Sequence, residues 1–312
     1  MGRVFLVGIA GDSASGKSTF AKGIINLFGK NRVSSISLDD YHLYDREERK
    51  KLKITPLNPK ANNFDLMVKH AQLLKEGKSI KKPVYNHSNG KFKEPILFKP
   101  KDIVILEGLL PFYDKRLYRL FNITIFIDPD YEVRKEWKIK RDVEERGHSL
   151  NALISEMEKR KPDYERYVAP QRKKAEILIK IKKERKEPHY RKGTPYWIRI
   201  YQKLTGEHLS KVYFPLDLTL MCRIEGEELY FEYRKGFYGK TPVSIIEFNG
   251  TVEKKALKDI EEKIAEIAGR PKRKIFEKGK YVDEIGLGNM IIAWRVAERF
   301  KLFKGMMGKG GC

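Results

Sequence analysis

The sequence predicts an α/β protein: a doubly wound, mainly parallel sheet with an α+β extension at its C-terminal end. Three observations carry this. Short runs rich in Val, Ile, Leu and Phe alternate with helix-patterned stretches through the first half, as buried parallel strands do. Each run ends in a glycine-rich loop or an acidic residue, and ligands of open α/β sheets gather outside the carboxyl ends of the strands. Beyond residue 182 the pattern changes to alternating strands followed by two helices.

RVFLVGIAG reads as the first strand, and KSTFAKGIINLF, after the glycine-rich loop, as the first helix. VSSISLDD is a second strand ending at Asp39. FDLMVKHAQLLKEG is a helix with Gly77 as its C-cap. In KKPVYNHSNGKFKEPILFKP the Asn89-Gly90 pair marks a tight turn, so a hairpin is expected. DIVILEGLL and NITIFIDPD are strands that end at Glu107 and Asp128, and YEVRKEWKIKRDVEERGHS is helical as far as Gly147. The charged, Pro- and Gly-containing stretch IKKERKEPHYRKGTPYW is a boundary, which divides the chain into domains 1–182 and 183–312. DLTLMCRI, ELYFEYRK and PVSIIEFNG then read as strands, KKALKDIEEKIAEIAG and NMIIAWRVAERFKLF as helices, and GMMGKGGC as a flexible tail.

With 41% hydrophobic residues in 312, the chain can bury a substantial core. No apolar run approaches the roughly 18 residues of a membrane span, and the apolar N-terminus leads straight into the loop, as a strand does and a signal peptide does not. A soluble, cytoplasmic protein is expected. Cys222 and Cys312 lack the spacing of a disulfide framework or a zinc site. The formal charge of +23 favours anionic partners, or else is the solvated surface of a Lys-rich chain; charge alone locates no site.

Gly11, Gly16, Lys17 and Ser18 satisfy G-x-x-x-x-G-K-[ST] between a predicted strand and a predicted helix, the mark of a P-loop NTPase-type sheet. The glycines let backbone N–H groups turn toward phosphate oxygens. Lys17 reaches the β and γ phosphates, and the Ser18 hydroxyl ligates Mg²⁺. The helix start adds its positive dipole end. Gly11, Asp12, Ser13, Ala14, Ser15, Gly16, Lys17, Ser18 and Thr19 form the candidate nucleotide site. Asp39, at the end of the second strand, can take a proton from an acceptor hydroxyl; the alternative is that it only caps a helix. His42 and Arg46 follow three and seven residues on, and share a face if the segment is helical. Glu107 stands at the Walker-B position, where an acid holds or orients Mg²⁺. Lys138, Arg141, Asp142 and Arg146 form one helical stripe, which either closes on transferring phosphates or is a solvated face.

The phosphate loop, LDDYH, LNPKANNFDLM, KPVYNH, ILEGLLPFYD and EWKIKRDVEERGHSL occur in the order of the phosphoribulokinases, which are related to uridine kinases within the P-loop kinases. The chain resembles that family densely over residues 1–181, and its C-terminal region resembles the longer plant and cyanobacterial type. The resemblance implies ATP- and Mg²⁺-dependent phosphorylation of ribulose 5-phosphate at its C1 hydroxyl. It implies catalytic roles for Asp39, Lys17, Arg141 and Asp142, with Asp39 as the base. Arg146 is then a nucleotide ligand, and His42, Arg46, Arg49, Tyr85, Lys138 and Arg141 bind the sugar phosphate. Ser18, Glu107 and Asp39 are the metal set. A homodimer is implied, and no membrane or specific nucleic-acid partner. Two positions depart from the family: Ser15 replaces the regulatory loop cysteine of plant enzymes, and Leu110 stands where EGLH is frequent. A uridine or cytidine kinase is the alternative within kinases; a nucleic-acid-binding P-loop protein, suggested by the basic stretch QRKKAEILIKIKKERKEPHYRK, is the alternative outside them.

Overall fold

The computed structural model describes residues 3–147, 149–183, 196–203, 229–270, 274–276 and 279–309. Cys222, Cys312 and the strand expected over DLTLMCRI lie outside them, as do residues 184–195 of the charged boundary. Contacts divide the chain into two compact units. One comprises the described residues up to Lys17, Asn31–Ile127 and Arg134–Ala175; the other comprises Ser18–Lys30, Asp128–Val133 and the described residues from Glu176 onward.

The first unit carries β1 (Phe5–Ala10), β2 (Val33–Ser37), α2 (Arg46–Lys51), α3 (Phe64–Lys75), β3 (Ile80–Asn86), β4 (Lys91–Phe98), β5 (Ile103–Gly108), α4 (Lys115–Tyr118) and most of β6 (Ile123–Pro129). Strands β2, β5, β1 and β6 lie side by side in that order, with β1 parallel to both neighbours and β2 parallel to β5. Strand order therefore reverses at β1, whose C-terminal end opens into the phosphate loop; such switch points are where doubly wound sheets bind ligands. Ile103, Val104, Ile105 and Leu106 are all buried, so β5 is covered on both faces, as its continuous apolar run predicts. On one face Leu6, Ile36, Val104 and Leu106 pack with Met67, Val68, Ala71 and Leu74 of α3.

The hairpin expected around Asn89-Gly90 is present as antiparallel β3 and β4. Gly90 has φ +74°, and a Cβ there would meet Arg46 Cβ at 2.5 Å, so this turn requires glycine. Helix α5 (Tyr131–Lys138) gives way to a π-helical turn over Ile139–Glu144, and α6 (Leu150–Asp163) follows. The wider π turn departs from the α-helical stripe read from the sequence, and π turns recur at functional sites.

In the second unit β7 (Ile177–Lys182), β8 (Trp197–Lys203), β10 (Thr241–Gly250) and β9 (Leu229–Tyr238) lie antiparallel in that order. β7 falls within the basic stretch that suggested nucleic-acid binding. Ile177, Leu178, Ile179 and Ile181 are buried, so this segment of the stretch is core strand rather than a basic surface. Helix α1 (Lys17–Phe28) packs against α8 (Glu284–Lys309): a Cβ on Gly23 would meet Asn289 at 3.0 Å, and Phe28 and Phe300 make an edge-to-face pair at 5.4 Å. Helix α7 (Lys258–Ile267) completes the unit. The tail expected to be flexible from Gly305 is instead helical as far as Lys309, continuing the turns of α8 whose Met290–Ala297 segment is buried. No helix among the described residues is long and apolar enough to cross a membrane.

Candidate active site

The phosphate loop folds around its own lysine. Lys17 Nζ donates to the carbonyls of Gly11 (3.1 Å) and Asp12 (2.7 Å), and the Ser13 N–H donates to Asp12 Oδ1 at 2.7 Å. Gly16 has φ +92°. A Cβ at Gly11 would sit 2.7 Å from Ile127 O and 2.5 Å from Ser15 Oγ, and that buried Ser15 hydroxyl has no hydrogen-bond partner. Only a bare backbone fits this cradle, as close approach to a polyphosphate requires. Burial lowers the Lys17 pKa, opposed by the negative charges of Asp39, Glu107 and Asp12.

Asp39 does not cap the turn it sits on. Ser37 does, its Oγ accepting the Asp39 N–H at 3.3 Å over a 3₁₀ turn, Leu38–Tyr41. The helix that would put His42 and Arg46 on one face does not form. His42 is extended, and α2 starts afresh at Arg46 behind an Asp45 cap whose capping box with Glu48 satisfies the new helix start. Arg46 points to the hairpin turn, donating to His87 O at 2.5 Å, while its N–H bonds Gly90 O at 2.9 Å. Arg49 is buried, with Nη2 donating to the Tyr85 hydroxyl (2.7 Å) and Nη1 to Tyr44 O. His42 packs edge-to-face on Tyr85 at 5.3 Å. Burial pushes the His42 imidazole down to about 4, against the pull of Asp39, so it is neutral at neutral pH. Nothing in the residues next to His42 in the chain states this.

Asp40, beside Asp39, forms a buried ion pair with Lys82 on β3 and accepts the Tyr85 N–H at 2.8 Å. The Lys82 ammonium also donates to Pro83 O at 3.0 Å, next to the register shift in the hairpin between Lys82 and Val84. Asp40 therefore fixes Tyr85, and with it the wall formed by His42 and Arg49.

The segment after β6 gathers around Asp142. Arg141 makes two hydrogen bonds to it (2.8 and 2.9 Å), Arg146 one (3.1 Å), and Lys138 Nζ lies 3.9 Å away. Burial works against ionisation of Asp142, but the Arg141 hydrogen bonds and the three cations outweigh it and hold its pKa below the usual range. Arg141 Nη2 also donates to Ser13 Oγ at 3.0 Å, so the predicted cluster does reach the phosphate loop. Two cations the sequence reading missed join it: Arg134 and Arg160 lie 3.5 and 3.7 Å from the Asp12 carboxylate. Arg134 lies in the quoted helical stretch YEVRKEWKIKRDVEERGHS and Arg160 in α6, outside every quoted motif; their pairing with Asp12 is a tertiary fact. Leu110, at the position of the family histidine, is buried. Asp128 is also buried, with Lys180 3.7 Å away.

Among the described residues no three His, Cys, Asp or Glu side chains cluster as a metal cage.

Comparison with known proteins agrees with this geometry. The chain is 37% identical over 260 residues to a phosphoribulokinase of Synechocystis sp., covering 80% of this chain and 78% of that protein. It is 34% identical over 279 residues to the chloroplastic phosphoribulokinase of Spinacia oleracea, covering 81% and 69%. A uridine kinase of Brevibacillus brevis is 36% identical but matches 57% of this chain, covering 86% of its own length. Among solved structures, a phosphoribulokinase from Rhodobacter spheroides superposes with a TM-score of 0.57 at 16% identity, over 78% of this chain and 90% of that one, which supports the fold alone. Residues 6–187 match the model of the phosphoribulokinase/uridine kinase family, and the chain belongs to that family.

Proposed function

We propose that the protein transfers the γ-phosphoryl group of ATP to the C1 hydroxyl of ribulose 5-phosphate, giving ribulose 1,5-bisphosphate and ADP. The observation that carries this is the place of Asp39 at the carboxyl end of β2. There Ser37 is in register with Glu107 of β5, which in turn pairs with Ile9 just before the phosphate loop, while His42 closes the same turn. One carboxylate thus serves the nucleotide side and the acceptor side. The choice of a sugar phosphate over a nucleoside is supported by likeness to phosphoribulokinases across about four-fifths of the chain, well past the part that uridine kinases match.

In this reading Asp39 takes the proton from the acceptor hydroxyl. The freed oxygen forms a bond to the γ-phosphorus while the β–γ bridging P–O bond breaks, and ADP leaves with the electron pair. Gly11–Thr19 backbone groups and Lys17 hold the phosphates, and Arg141, oriented by Asp142 and joined by Arg146, stabilises the charge that develops on them. Ser18, Glu107 and Asp39 are the residues that would hold Mg²⁺, which when bound neutralises charge on the β and γ oxygens. Tyr85, His42, Arg46, Arg49 and Lys138 shape the acceptor side. Each guanidinium has five N–H donors, so the bonds made by Arg46 and Arg49 leave room for a further anion.

A homodimer formed by sheet-edge pairing belongs to the same reading. β9 has β10 as its one strand partner among the described residues, and exposes Tyr233 and Phe237. A cytoplasmic location, where ATP and sugar phosphates meet, goes with it.

The test is ADP release with Mg-ATP, comparing ribulose 5-phosphate with uridine. Turnover with the sugar phosphate alone is expected; turnover with uridine alone overturns the acceptor. Asp39→Asn should lower kcat by roughly 10³-fold while ATP binding survives.

A further inference from the structure

His42 and Asn62 are both buried and face each other across a short antiparallel bridge. Asn62 Nδ2 donates to two backbone carbonyls, Pro56 O at 3.1 Å and Asn58 O at 2.9 Å. Carbonyls only accept, so this end of the amide must be the NH₂ group. The other end, Oδ1, then faces His42 Nδ1 at 3.0 Å. A carboxamide oxygen only accepts, so Nδ1 must carry the proton. In a neutral imidazole the second nitrogen then has none, and Nε2 presents a lone pair. The groups around the ring are Asn62, Tyr85 with its hydroxyl turned to Arg49, the Arg49 guanidinium, the His87 ring and the Asp39 carboxylate.

We infer that Asn62 is a positioning residue that locks His42 in the Nδ1–H tautomer, so that Nε2 accepts a hydrogen bond from a hydroxyl of the phosphoryl acceptor. This rests on the proposed sugar-phosphate reading and deepens it. A bare lone pair repels phosphate oxygens, so the acceptor's phosphate is held elsewhere and a polyol carbon lies against His42. An acceptor that lacks the hydroxyl at this point leaves Nε2 unpaired in a buried wall, and sites built to pair a substrate hydroxyl discriminate strongly on that ground. The carbonyls of Pro56 and Asn58 thereby determine, through one amide, which polar group of the substrate is read.

Two measurements test this. The first needs no substrate: ¹⁵N NMR of histidine-labelled protein at pH 7, with the His42 signals assigned by their loss in His42→Gln. A pyrrole-type Nδ1 and a pyridine-type Nε2 are expected. An Nε2–H tautomer or a doubly protonated ring overturns the inference, whatever the acceptor proves to be. The second compares Michaelis constants. Asn62→Leu should raise KM for ribulose 5-phosphate by about 10-fold or more while KM for ATP stays within about twofold. Equal effects on both substrates, or none, would reduce Asn62 to a packing residue and overturn its positioning role. Should Asn62→Leu fail to fold, His42→Gln and His42→Leu decide the point: glutamine can present an acceptor oxygen and should keep most of the sugar-phosphate affinity, whereas leucine should lose it. Equal loss in both overturns the acceptor role of Nε2. Wild-type silence with ribulose 5-phosphate would overturn the functional reading instead, and the NMR result would still decide the tautomer.

Discussion

Arg141 donates a hydrogen bond of 3.0 Å from its Nη2 to the hydroxyl of Ser13, while the same guanidinium is held on Asp142 by bonds of 2.8 and 2.9 Å. A cation tied on one side to a carboxylate and on the other to the phosphate loop is pre-oriented toward whatever anion the loop holds. Asp142 costs the site a negative charge, but it removes most of the rotamer freedom that Arg141 would otherwise lose on binding.

Arg141→Lys keeps the charge and loses the planar fork that engages Asp142 and Ser13 together. A fall in kcat of about 10²-fold is expected, with the protein still folded and ATP still bound. Steady-state kinetics beside nucleotide titration would check this. A variant turning over at the normal rate would leave Arg141 as structural charge.

The Lys82–Asp40 pair ties the hairpin to the turn that bears Asp39, and both partners are nearly buried. Lys82→Met leaves the Asp40 carboxylate without its cation and should destabilise folding by about 3 kcal/mol or more. Adding Asp40→Asn to that variant should recover part of the loss, because the amide carries no charge and can still accept the Tyr85 N–H. Urea unfolding of the two single variants and the double variant measures this; simple additivity would mean that the two side chains are not coupled.

At Gly11 the limit is steric. A methyl group would press on the Ile127 carbonyl at 2.7 Å, and backbone cannot step aside as a flexible side chain can. Gly11→Ala should therefore distort the loop and raise KM for ATP by about 10-fold or more. Isothermal titration with a non-hydrolysable ATP analogue is the direct check, and normal affinity would show that the loop has slack.

Glu284, the first residue of α8, is buried; desolvation pushes its pKa up to about 7, against backbone N–H bonds that favour the charged form. Unfolding restores an ordinary carboxyl pKa near 4.5. Between these values the folded state holds more protons than the unfolded one, so stability falls as pH rises from about 4.5 through about 7. Glu284→Gln removes the ionisation and can keep an acceptor for Asn249 and the backbone. Its melting temperature should exceed that of the wild type at pH 8 by a few degrees, with the gap closing toward pH 5. Parallel melting curves across that range would refute this for Glu284.

The phosphate loop, the apolar strands β1, β2, β5 and β6, and the hairpin turned by Asn89-Gly90 are all legible in the amino-acid order alone. These signals are local. A glycine spacing, a run of buried residues or a turn dipeptide states its conformation within a few residues. The sequence also recorded Lys138, Arg141, Asp142 and Arg146 as a stripe of charges, though it took the winding to be α-helical where Ile139–Glu144 is a π turn. Partnership between distant side chains, by contrast, comes from the packing of the folded chain. Asp40, next to Asp39 in the chain and in no motif reading, is the anchor of Lys82. Asn62 sat unremarked in LNPKANNFDLM and fixes the proton on His42. Arg134 and Arg160 meet at Asp12, to which neither is close in the chain. The charge state of His42 was likewise illegible, because burial, which pushes it to about 4, is a property of everything packed around the ring and of no residue in its own motif.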